Sequence, residues 1–184
     1  MRLFIAIEFS DEVRSTLSEV QAGLAPKCEG VRWIPAEQVH LTVKFLGEVP
    51  DRDVNKVAEA VVRAAATATP CDLAIAGCGC FPPRGPVRIV WAGGSEGTGA
   101  LLQCVEGVET ELAQLGYPKE RRPFSPHITI GRVKEDRSGG RLRSAVEDHT
   151  FPSVEEAISS ITVMSSVLSP KGPTYTPVSR TKLG

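Results

Sequence analysis

Two short stretches limit what this chain can become: His40-Leu41-Thr42-Val43-Lys44-Phe45 and His127-Ile128-Thr129-Ile130-Gly131-Arg132. In each, branched or apolar residues alternate with His, Thr and one further residue, which is the period of a β-strand. Residues two apart on a strand share a face. The pattern therefore predicts His40, Thr42 and Lys44 on one face, with Leu41, Val43 and Phe45 turned into a core. His127 and Thr129 repeat this over Ile128 and Ile130. Strict alternation turns Arg132 toward the Ile128 and Ile130 side; a bulge, or a strand end at Gly131, would return it to the His face.

The segments around these strands alternate in type. Leu3, Ile5, Ile7 and Phe9 read as a first strand, and Ser10 with Asp11 and Glu12 opens a helix that runs to about Leu24. Its inner face is Val13, Leu17, Val20 and Leu24, and Pro26 ends it. A short strand over Val31–Ile34 precedes the first motif, which Gly47 and Pro50 stop. A helix from Asp51 to about Ala66, a strand over Cys71–Ala76 and a rigid turn over Phe81–Pro86 follow. Val87–Ala92 is a strand. Gly93-Gly94-Ser95-Glu96-Gly97-Thr98 then leads into a helix near Leu101–Leu115. That loop lacks the lysine of a phosphate-cradling GxxxxGK[ST] loop and the spacing of GxGxxG, so it reads as a plain turn with a capping residue.

After the second motif come a mobile loop at Arg137–Gly140, a short helix at Leu142–Glu147 and a strand around Ile161–Met164. A Ser169–Gly172 turn and a closing strand over Thr174–Val178 complete a hairpin. The halves read alike, and His127 lies 87 positions after His40. An internal duplication would bring the two His strands together across a pseudo-two-fold axis. Mixed strands and helices without strict βαβ alternation predict an α+β fold with antiparallel sheets.

The 184 residues suit one domain or two small lobes sharing a core. A formal net charge of -1 gives no general attraction to polyanions or membranes. The stretch from Lys119 to Arg143 is nevertheless rich in Lys and Arg, which makes the surroundings of the second motif basic. Five cysteines without metal-site spacing argue against zinc and for free thiols in a reducing compartment. The N-terminus does not read as a signal peptide and no run approaches the ~20 apolar residues of a membrane span, so the expected location is cytoplasmic.

Two imidazoles on one cleft, one protonated and one neutral, can act as general acid and general base together. Thr hydroxyls joined by Lys or Arg are donors suited to a phosphate. No nucleophile elbow accompanies them, and Thr is a poor substitute for a metal-ligating His or carboxylate. Phosphoryl transfer without a metal fits the residue set. His149, in a polar stretch, reads as surface.

The residues also carry a resemblance. The chain resembles the 2H phosphoesterase superfamily, and within it the RNA 2′,3′-cyclic phosphodiesterases historically called 2′-5′ RNA ligases. The similarity covers nearly the full length. It runs through Arg2–Ile7, Trp33, His40–Gly47, Phe81–Gly85, Arg88–Trp91, Pro123–Arg132 and Ser166–Tyr175. It implies a bilobal, duplicated α+β fold over residues 1–184: two antiparallel sheets flanked by helices around a central cleft that carries two HxTx strands. It implies hydrolysis of a terminal RNA 2′,3′-cyclic phosphate to a 2′-phosphate, with no cofactor and no metal. The reverse sense is an ATP-independent 2′-5′ ligation.

Carried over residue by residue, His40 is the proton donor and His127 the proton acceptor, with Thr42 and Thr129 on the phosphate oxygens. Arg132 would contact the terminal nucleotide. Lys44 would add positive potential, and Phe124 or Phe9 would stack on a base. The expected partner is an RNA ending in a 2′,3′-cyclic phosphate, tRNA fragments included, or a related nucleotide; the chain is expected to be monomeric. Two other readings stay open: a 2H enzyme acting on a small cyclic nucleotide or 2′-5′ oligoadenylate, and a non-enzymatic module that binds RNA ends.

Overall fold

The computed structural model describes residues 1–94, 99–138, 140–170 and 172–184. The first part of the chain runs β1 (Arg2–Glu8), α1 (Asp11–Leu24), β2 (Val31–Trp33), β3 (His40–Glu48), α2 (Val54–Ala66) and β4 (Cys71–Phe81). The rest runs β5 (Ile89–Gly94), α3 (Gly99–Ala113), β6 (His127–Val133), α4 (Leu142–Glu147), β7 (Val154–Ile158), β8 (Ser160–Ser169) and β9 (Gly172–Lys182). Every strand pair is antiparallel. The order across the sheet is β7-β4-β5-β6-β3-β1-β8-β9, with β2 added to β6.

That order reads the same way outward from its centre: β6 and β3 in the middle, then β5 and β1, β4 and β8, β7 and β9. β5 begins at Ile89, 87 positions after Arg2, the interval that also separates His127 from His40. The duplication is thus visible in strand order. The two antiparallel sheets implied by the sequence are the two halves of this arrangement, joined where β3 meets β6 at the register pair Leu41↔Ile128 and where β2 adds to β6.

One face of the sheet carries the helices. Leu3, Ile5 and Ile7 of β1, Leu41 and Val43 of β3, and Ile128 and Ile130 of β6 share a core with the buried sides of all four helices. On α1 those are Val13, Leu17, Val20 and Leu24, as the spacing predicts, and Ser10 caps the helix by accepting from the Val13 amide. The opposite face of β1 is Phe4 and Ala6, which form a small separate cluster with Met164 and Tyr175. This second face lines the cleft.

Several elements differ from the sequence expectation. β4 runs through Phe81 instead of stopping at Ala76, because Gly77 takes a positive φ of 72° in a bulge and Gly79 makes room for the Trp91 indole. β7 has no counterpart in the sequence expectation. It pairs with β4, and its central Glu156 is buried, where the carboxylate accepts from the Ser10 amide and hydroxyl. β9 extends to Lys182, and α3 ends at Ala113. His149 is half-buried against Gly23 of α1 rather than on the surface. The turn or phosphate cradle considered at Gly93–Thr98 falls partly on residues 95–98, which lie outside the described residues, as do Gly139 and Lys171; Gly93 and Gly94 belong to β5. All five cysteines are free thiols, and burial pushes Cys78 up to about 12.

Candidate active site

The join between the halves builds the site. On antiparallel strands, counting outward from Leu41↔Ile128 places Thr129 opposite His40 and Thr42 opposite His127. The four side chains form a rectangle with a His and a Thr at opposite ends of each edge. The two histidines occupy a diagonal that spans roughly 7–8 Å between backbones in a regular ladder. His40, Thr42, His127 and Thr129 all line a single cleft of about 1390 Å3.

Both imidazoles are held in the same way. Nδ1 of His40 lies 2.8 Å from the Gln38 carbonyl oxygen, and Nδ1 of His127 lies 2.9 Å from the Ser125 carbonyl oxygen. A carbonyl can only accept, so each Nδ1 carries the proton and each Nε2 is left for chemistry. Aromatic neighbours hold the rings from the side. Phe4 and Tyr175 sit 4.9 and 5.0 Å from His40, centroid to centroid, while Phe81 meets His127 edge-on at 5.1 Å.

Just past the HxT triplets, both motif strands bulge at the same position. On β3, Thr42 pairs with Ala6 but Lys44 pairs with Ile5, so Val43 is the extra residue. On β6, Thr129 pairs with Trp91 but Gly131 pairs with Val90, so Ile130 is the extra residue. A bulge resets the alternation. It moves Lys44 and Gly131 to the core side, and Phe45 and Arg132 to the cleft side. The Ile130 carbonyl accepts from the Ile34 amide, next to β2, and from the Gln21 side chain.

The bulges decide the remaining sequence candidates. Arg132 is on the cleft side, the outcome that required a bulge. Phe45, expected in the core, is 53% exposed on the cleft face, stacked on Phe4 beneath the Arg2 guanidinium. Lys44, expected beside His40, lines the cleft wall but is only 3% exposed. Its ammonium donates to Glu109 at 2.5 Å and to the Pro118 carbonyl at 2.8 Å. Its charge is paired with Glu109 within the wall. Phe124 is half-buried and lines the cleft, whereas Phe9 is core.

The electrostatics are asymmetric. Burial lowers the His40 pKa below its ordinary value; the nearby Arg132 charge lowers it too, against the opposing effects of the Gln38 carbonyl and Glu8. Glu8, opposite His40 on β1, is itself held as a carboxylate by Arg180, whose guanidinium donates to both of its oxygens at 2.7 and 2.9 Å. Sequence reading does not single out Glu8, Tyr175, Gln21, Arg2 or Arg88, of which Tyr175, Arg2 and Arg88 fall inside the stretches carrying the resemblance, while Arg121 and Arg122 belong to the basic stretch before the second motif. Among the described residues no three His, Cys, Asp or Glu side chains form a metal-holding group, and no helix is long and apolar enough to cross a membrane.

Comparison with known proteins gives concordant matches. The family model described as LigT like Phosphoesterase matches residues 7–91 and 94–175. An RNA 2′,3′-cyclic phosphodiesterase of Thermotoga maritima is 35% identical over 95% of this chain and 91% of its own length. The solved structure of TT0787 from Thermus thermophilus superposes with a TM-score of 0.82 at 31% identity, covering 100% of this chain and 98% of that one. E. coli LigT complexed with 3′-AMP superposes with a TM-score of 0.77 at 28% identity, covering 99% and 97%.

Proposed function

This chain belongs to the LigT like phosphoesterase family, and on that premise we propose that it hydrolyses a terminal 2′,3′-cyclic phosphate on RNA to a 2′-phosphate. The observation that supports this most directly is the pair of HxT triplets set antiparallel around Leu41↔Ile128, each His fixed through Nδ1 with Nε2 free. Nε2 of His127 takes a proton from water as the oxygen attacks phosphorus opposite the 3′ oxygen. The P–O3′ bond breaks, and His40 delivers its proton to the departing 3′ oxygen. Thr42 and Thr129 donate to the non-bridging oxygens, and Arg132 adds a charge that strengthens as negative charge develops.

Burial holds the His40 pKa below its ordinary value in the free protein, yet the proton donor must be charged. The substrate itself corrects this. A phosphodiester anion between His40 and Arg132 offsets the guanidinium and stabilises the imidazolium. Substrate binding and loading of the acid are therefore one event. No metal or nucleotide cofactor enters the scheme, and residues 1–184 act as one bilobal 2H phosphoesterase domain. With a 5′-hydroxyl in place of water, the same steps in the same direction form a P–O5′ bond as P–O3′ breaks, which is a 2′-5′ ligation. The 3′-AMP in E. coli LigT favours a second reading, a small cyclic nucleotide as substrate.

The test is to incubate the protein, with EDTA and without ATP, with an RNA ending in 2′,3′-cyclic phosphate and to identify the product. A 2′-phosphate end is expected. A 3′-phosphate end, or no turnover, would overturn the assignment.

A further inference from the structure

The cleft is larger and more cationic than one nucleotide needs. Small-ligand pockets are roughly 300–1,000 Å3, and this one is about 1390 Å3. Arg2, Arg88, Arg121, Arg122 and Arg132 all line it. None of the five forms an ion pair with a described residue. Elsewhere Arg52, Arg63, Arg137, Arg143 and Arg180 each have a carboxylate partner. Of the acidic residues on the cleft wall, Glu106 and Glu109 are already paired with Lys119 and Lys44, which leaves Glu120. The mechanism above uses Arg132 alone.

Arg121 and Arg122 are exposed, but the backbone just before them is fixed from within. Lys44 holds the Pro118 carbonyl, and Glu109, the partner of Lys44, accepts from the Glu120 amide at 3.2 Å. A buried Lys–Glu pair is a poor source of stability. Here it anchors the root of a segment whose next two residues are arginines facing the cleft. Guanidinium groups on a fixed backbone, without internal partners, are suited to the phosphates of a nucleic-acid strand.

We infer that Arg121 and Arg122, positioned by the Lys44–Glu109 pair, bind phosphates upstream of the reacting one, so that the substrate is the end of an RNA strand and not a free cyclic mononucleotide. This rests on the His40 and His127 reading of the cleft and assigns its far part. The arginines engage backbone phosphates, so they select for length and not for sequence.

The experiment compares kcat/KM for cytidine 2′,3′-cyclic phosphate with that for a tetranucleotide ending in the same group. The native chain should prefer the tetranucleotide by about a hundredfold. R121Q/R122Q should reduce that preference about tenfold through KM, and should flatten the salt dependence of tetranucleotide binding by about 0.7 for each phosphate no longer neutralised. K44M/E109L, which keeps the volume and releases the segment, should reduce the preference in the same direction. Equal use of both substrates by the native chain, or a double arginine variant that keeps the preference, overturns the inference and leaves the catalytic assignment standing. Fluorescence anisotropy of a tetranucleotide ending in 2′-phosphate decides the case where neither substrate turns over. Binding about tenfold weaker in R121Q/R122Q supports the inference, and equal binding overturns it.

Discussion

Leu41 pairs with Ile128, the register pair at which the two central strands β3 and β6 meet. Both side chains are fully buried in the shared core, so their neighbours on either side must point the other way, into the cleft. One hydrophobic contact thereby sets two histidines and two threonines around a common centre. A slip of one residue at this pair would turn all four into the core.

His40→Ala and His127→Ala should each reduce turnover of a cyclic-phosphate-ended RNA by about 10²–10⁴-fold, the usual contribution of a positioned acid or base. Both side chains sit on the cleft face outside the main core, so thermal unfolding followed by circular dichroism should change little. If RNA turnover survived in either variant, the acid–base pair would be wrongly assigned.

The pH profile carries a definite sign. The donor must be protonated, so kcat/KM falls as pH rises through the His40 pKa. Burial, together with Arg132, holds that pKa below its ordinary value, so the fall should begin on the acid side of about 6.5. In the kcat profile, where substrate phosphate is bound, the same limb should lie higher. Arg132→Gln removes one lowering influence: the kcat/KM limb should move up in pH while KM rises. A limb that stays in place would show that the titrating group is not His40.

Lys44→Met leaves the Glu109 carboxylate buried without its partner and should cost about 3–5 kcal/mol in urea unfolding. K44M/E109L removes both charges and should recover most of that loss. A K44M variant as stable as the native chain would mean that water reaches Glu109.

Gly79→Ala tests the wall behind His127. A Cβ there would lie 2.2 Å from Cζ2 of Trp91, so the indole must move, at about 1–3 kcal/mol. Trp91 lies tilted against Phe81 at 5.5 Å, and Phe81 meets the His127 ring edge-on. Reduced kcat should accompany the lowered melting temperature. Full activity would show that the ring needs no such support.

Removing metal should change nothing. Imidazoles move the protons in this scheme, and Thr and Arg donors take the charge, so exhaustive EDTA treatment should leave the rate within error. Lost activity restored by a divalent ion would require a different mechanism.

Much of this is legible in the sequence because period-two alternation around a buried residue is a local property. Leu41, Ile128 and Ile130 have to face a core, so His40, Thr42, His127 and Thr129 have to face away, and the twin triplets imply one shared cleft. The α1 face and its Ser10 cap are readable for the same reason. β7 is not, because Glu156 breaks its apolar pattern and is buried only because α1 brings Ser10 to it.

Beyond the triplets, tertiary structure decided. Alternation puts Lys44 on the His40 face and Phe45 in the core, but Phe45 is exposed on the cleft and Lys44, though part of the cleft wall, is buried against Glu109. A bulge depends on what the neighbouring strands and loops offer. At Ile130, the carbonyl is taken up by Ile34 and Gln21; at Val43, the displaced lysine finds Glu109 and Pro118. Those partners are distant in sequence, so no local pattern announces them. The sequence by itself determined which four side chains share the cleft, while packing between distant segments decided which charges surround them.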